Sequence, residues 1–145
     1  MERWQVILGA LAIGSVVAYF ALGRRERNMR SLANKLGFQF IGDNLPATFQ
    51  MDCYPMSKIN KAWNVIEGTR KGLQIVIFDS VIDSGRYGRY CTAIACHTNE
   101  NPFTLYYGSE EVVQSNGWTA LYQLRFIQVP GTITVPRLED LVGMV

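Results

Sequence analysis

From Trp4 to Leu22 the chain is an almost unbroken run of apolar and small residues, with Gln5 and Ser15 as its polar members. As a helix, these residues rise roughly 28 Å, close to the hydrocarbon thickness of a bilayer. The pattern predicts an N-terminal transmembrane helix, with Trp4 near one end and Tyr19 and Phe20 near the other, where aromatic rings favour the interface. Ala10, Gly14 and Ala18 recur every four residues and Ala21 falls close to the same side. Small residues so spaced form a face on which another helix can pack.

The period then changes. Met29, Leu32, Ala33 and Leu36 make an apolar stripe among charged neighbours and Gly37 is a natural stop, so 24–37 reads as a basic amphipathic linker helix. Its residues Arg24, Arg25, Arg27 and Arg30 are placed at anionic headgroups, with the stripe docked on the following domain. From residue 38 onward short runs rich in Val, Ile and aromatic residues alternate with turn signals. Strands are predicted at 38–41, 63–69, 73–82, 89–98, 103–107, 118–129 and 132–135. The segment 45–60, with Pro46 and Pro55, reads as loop with local turns. Ser109 followed by Glu110 and Glu111 predicts a short helix, and Pro136 opens a closing helix over 136–142. The fold class expected is α+β: one transmembrane helix (1–23), the linker (24–37), and a small antiparallel-sheet domain with flanking short helices (38–145).

Charge sharpens this division. The net charge of +2 splits into +3 over the first 30 residues, where five arginines face two glutamates, and −1 beyond them, where nine Lys and Arg face ten acids. A folded domain with no positive excess is no nucleic-acid surface. Four arginines after the span and one before it place the C-terminal domain in the cytoplasm and the N-terminus outside, on the inner membrane. Three cysteines, Cys53, Cys91 and Cys96, leave at least one thiol unpaired, which suits a reducing compartment. A cleaved secretory signal is the competing reading, but Ala18-Tyr19-Phe20-Ala21-Leu22 offers no small-residue cleavage pattern and arginines follow.

Candidate chemistry is sparse. One histidine, His97, restricts any metal set or His-paired relay. Cys91 and Cys96 are an odd number of residues apart on a predicted strand and so point to opposite faces. No metal, cofactor or catalytic residue is assigned. Ser84-Gly85-Arg86-Tyr87-Gly88-Arg89 is glycine-rich and basic, which makes Ser84, Gly85, Arg86, Gly88 and Arg89 a loop that could hold a phosphate, against the plainer reading of a hairpin turn. Asp79 stands inside the apolar strand Ile75-Val76-Ile77-Phe78 and must find a cation, a donor or solvent; Glu67 could face it across the first hairpin, against the plainer reading of a solvated or salt-bridged strand acid. Trp118, Tyr122 and Phe126 share one strand face and read as core.

Three stretches, Arg30-x-Leu32-Ala33-x-x-Leu36-Gly37-Phe38, Asn64-Val65-Ile66-Glu67-Gly68 and Val76-Ile77-Phe78-Asp79, resemble uncharacterised bacterial single-span membrane proteins with a compact cytoplasmic α+β domain. The resemblance covers about half the chain and brings no catalytic residues with it. The function expected is a non-enzymatic, membrane-anchored accessory subunit of a larger integral-membrane complex, respiratory or photosynthetic, with lipids and other transmembrane subunits as partners. The alternatives are a small inner-leaflet enzyme or ligand sensor, built on the 84–89 loop or on Cys96 and His97, and a self-associating scaffold.

Overall fold

The computed structural model describes residues 2–82, 88–104, 110–125 and 133–145, the side chains of Ala18, Ala21 and Leu22 excepted. Its centre is a six-stranded antiparallel sheet, in spatial order β1-β2-β3-β4-β6-β5. The strands are β1 (Gln39–Gly42), β2 (Ile59–Arg70), β3 (Leu73–Ile82), β4 (Arg89–Cys96), β5 (Glu111–Ser115) and β6 (Trp118–Arg125). Among the described residues, two α-helices, α1 (Arg3–Leu36) and α2 (Val135–Met144), and a 3-10 turn at Met56–Lys58 accompany it.

The period of two along β3 builds two cores. Ile75 and Ile77 face α1 and α2, joining Met29, Leu32 and Ala33 of the first helix and Leu138, Leu141 and Val142 of the second. Val76, Phe78 and Ile82 face the other way, where the segment 43–58 lies over them with Met51 and Met56 buried and Phe49 packed alongside. That segment is pinned rather than draped. Phe49 meets Phe78 and Trp118 edge-on at 5.5 and 5.2 Å, and Trp118 Nε1 donates to the Thr48 carbonyl at 3.2 Å. Trp118 and Tyr122 both belong to this second core, as expected for one strand face. Phe126 lies outside the described residues.

The expected α+β fold with a transmembrane helix is corrected here. Among the described residues no helix is long and apolar enough to cross a membrane. The predicted span is not a helix of its own: it is the first part of α1, Arg3–Leu36, whose second part carries Arg24, Arg25, Arg27, Arg30 and Lys35. Nor does a separate anchor end at residue 23, for α1 runs without a break into the charged stripe and stops at Gly37, whose φ of +70° closes the helix in the left-handed conformation. The single-pass, inner-membrane placement rested on that span and falls with it.

A second correction concerns 109–113. Glu111–Ser115 is a strand, paired Val112 to Leu121 and Val113 to Ala120 on β6. The cap-like Ser-Glu-Glu signal is overridden because Val112 packs against the helix-side core and Val113 against the other, a use of both faces that only an extended chain allows. The Glu67 expectation also fails, since register sets Glu67 opposite Val76 and Asp79 opposite Trp63. Between Trp63 and Ile66 the β2–β3 register shifts by a bulge. The predicted strand at 132–135 does not form over its described residues, since Thr134 caps α2 and Val135 opens it; of the predicted strand at 103–107, residues 103 and 104 are described and are not in a strand, and 105–107 lie outside the described residues.

Phe38 folds back over β2 so closely that a Cβ at Gly68 would fall within its ring. Replacing Gly68 by Val therefore displaces Phe38 and loosens the β1 edge. Urea unfolding should show a loss of about 1–3 kcal/mol, and an unchanged midpoint would show that Phe38 relocates freely.

Candidate functional site

Where α1 crosses the sheet, one carboxylate organises the polar side chains. Asp79, on the helix side of β3 and only 1% exposed, accepts four hydrogen bonds. Arg25 donates through Nε to Oδ2 at 3.1 Å and through Nη2 to Oδ1 at 3.0 Å, a bidentate ion pair. Asn64 Nδ2 adds 3.0 Å to Oδ2, and Thr92 Oγ1 on β4 adds 2.7 Å to Oδ1. The β2 bulge makes the Asn64 contact possible. Asn64 takes φ +51°, a left-handed conformation that Asn tolerates, and so turns to the same face as Trp63 instead of the opposite one.

Arg25 reaches Asp79 because it lies on the helix face of Met29, Leu32, Ala33 and Leu36, four residues before the first of them. Sequence reading set it with the headgroup arginines; the structure buries it. Arg30 stays exposed, donating to Glu26 at 2.9 and 3.1 Å along the helix surface and lying 4.1 Å over the Phe40 ring. Of the four, Arg24 and Arg27 are exposed and have no carboxylate partner among the described residues. Arg25 lines two clefts. An inner one of about 680 Å³, between α1 and the β1–β2 corner, has Tyr19, Phe40 and Trp63 as ring walls. An outer one of about 670 Å³ is lined by Val17, Phe20, Arg24 and Arg27.

N-terminal to Gly23 the helix has no burying contact among the described residues. Val6, Ile7 and Leu8 are 57%, 50% and 65% exposed, and successive helical residues point about 100° apart, so the apolar surface runs all the way round. Of the predicted packing face, Ala10 and Gly14 are exposed, and a Cβ at Gly14 would meet nothing within 4 Å. Ala18 and Ala21 are not among the described side chains. Of the candidate ligand loop, Ser84, Gly85 and Arg86 lie outside the described residues, and Arg89 Nη1 donates to the Tyr54 hydroxyl at 3.5 Å. A Cβ at Gly88 would crowd Val81 at 2.9 Å.

Cys96 and His97 are not brought together. Cys96 belongs to the helix-side core, while His97 is exposed and stacks on Trp118 at 4.8 Å. Burial raises the Cys96 pKa above its ordinary value. Burial also pushes the Cys91 thiol up to about 12, aided by the negative charge of Asp79 and opposed in part by Ser80 beside it. Both therefore stay protonated near neutrality, whereas the thiolate is the nucleophile. Among the described residues no group of three His, Cys, Asp or Glu side chains is placed to hold a metal ion.

Comparison with family models, with curated proteins and with solved structures finds no match. The resemblance to single-span bacterial proteins rests on its three sequence motifs alone.

Two outcomes follow from this geometry. Removing one partner of a buried ion pair strands the other, so Arg25→Met should cost about 3–5 kcal/mol. Adding Asp79→Leu should recover part of that loss in a double-mutant cycle of urea midpoints; additivity would mean the pair is not coupled. Raising pH through 9 ionises Cys91 in the unfolded chain and not in the folded one, so stability falls from about pH 9 towards 12. The decline should be shallower in Cys91→Ala, and a thiol reagent should modify half-buried Cys53 ahead of Cys91 and Cys96 in the native protein.

Proposed function

We propose that this protein is a non-enzymatic accessory subunit that joins a larger assembly through the N-terminal half of α1. The observation that carries the reading is the all-round apolar surface from Trp4 to Phe20. A helix apolar on every side is normally buried, and an exposed apolar surface of this length marks an interaction site. The folded domain supplies the anchorage. Arg25, Met29, Leu32 and Ala33 hold the second half of the helix to the sheet, so the first half is presented from a fixed base.

The gaps at Gly9 and Gly14 support helix partners in particular. A Cβ at either would touch nothing, so a neighbouring backbone can approach these positions closely.

The test is native extraction under mild conditions, sizing, and mass spectrometry of the chains that stay bound. The wild-type protein should elute in a stoichiometric complex. The Ile13→Asp/Val17→Asp variant should elute free of it while its Tm stays within about 3 °C of the wild type, since neither side chain touches the sheet. A wild-type protein that elutes alone would sink the reading.

A further inference from the structure

Val6, Ala10, Ile13, Val17 and Phe20 follow one another at alternating spacings of four and three, and Arg24 and Arg27 continue the same series. Such spacing keeps one seam in register along a helix over several turns, as in paired helices. The seam lies roughly 100° or more round α1 from the face of Arg25, Met29, Leu32 and Ala33 that docks on the sheet, and its apolar part lies N-terminal to that face. A second helix can therefore lie along it without displacing the domain. Val6, Ile13, Val17 and Phe20 are 57%, 68%, 62% and 62% exposed. The outer cleft of about 670 Å³ falls where the apolar part of the seam gives way to the arginines.

From this we infer that the seam receives one helix of a different protein, apolar along most of its length and carrying Asp or Glu where it passes Arg24 and Arg27. The inference rests on the proposed role of α1 and adds the partner's chemistry. Two arginines that end an apolar seam, exposed and without a carboxylate partner among the described residues, call for negative charge opposite them. A second copy of this chain does not supply it. In a parallel pair Arg24 meets Arg24 and Arg27 meets Arg27. In an antiparallel pair over the same stretch the guanidinium groups lie against Val6 and Ala10. Either arrangement leaves like charges together or a charge against apolar surface, which acts against self-pairing.

The experiment uses the full chain and two synthetic helical peptides of about four heptads. Both carry Leu and Val along the seam; one ends it with two glutamates and the other with two lysines. Fluorescence anisotropy should show the glutamate peptide binding about tenfold tighter than the lysine peptide, as expected for two surface ion pairs replacing two repulsions. The preference should shrink at high salt and reverse in the Arg24→Glu/Arg27→Glu variant. Equal binding of the two peptides would overturn the acidic-partner assignment. So would failure of both to bind, whether the protein then self-associates in sedimentation or adsorbs to phosphatidylglycerol vesicles. If the Ile13→Asp/Val17→Asp variant is nevertheless released from the native complex, the accessory-subunit reading survives that failure; if no native complex exists, both fall.

Discussion

The buried pair between Arg25 and Asp79 is the constraint on which the rest of the architecture depends. A carboxylate at the middle of a sheet, 1% exposed, is tolerable only when its lone pairs are filled and its charge is met. Four donors from three different elements do this. Each of those elements is thereby located. The Arg25 fork sets the axial position of α1, Thr92 ties β4 to β3, and Asn64 requires the bulge in β2. The surrounding aliphatic contacts supply adhesion but are tolerant of small shifts, whereas a bidentate ion pair is not.

Around that point the molecule divides sharply in two. Beyond Arg25, α1 is an ordinary component of a packed domain, buried on one side and tied to α2 by the surface ion pair of Lys35 with Glu139 at 2.7 Å. A second bidentate pair, Arg137 with Glu110 at 3.0 and 3.1 Å, anchors α2 in turn. Before Arg25 the same helix has no partner from its own domain among the described residues. The contrast lies within a single secondary-structure element.

The thiols and the histidine fit this emphasis. Cys91 and Cys96 are absorbed into opposite cores as small apolar side chains, and His97 closes a stack of rings over Trp118 that holds the 43–58 segment to the sheet. Residue types that suggested chemistry when read in isolation are structural members once their neighbours are known. Pairing β3, β4 and β6 into register placed them so, because a one-residue difference along a strand exchanges one core for the other.

Local pattern by itself determined a good deal. The Val- and Ile-rich runs placed β2, β3, β4 and β6, since period-two alternation and β-branched side chains fit an extended chain, and Pro136 with the Leu138 to Val142 pattern placed α2. The stripe from Met29 to Leu36 correctly gave the face of α1 that meets the sheet. Tertiary structure decided what depended on a distant partner. Glu111–Ser115 became a strand because β6 offered it an edge. Arg25 left the basic cluster because Asp79, 54 residues away, offered a buried charge. The membrane span inferred from Trp4 to Leu22 likewise gave way to one continuous helix, whose apolar half is exposed and whose charged half is docked. Composition along a segment reports how much apolar surface must be covered; only the packed fold shows which of it the domain covers itself.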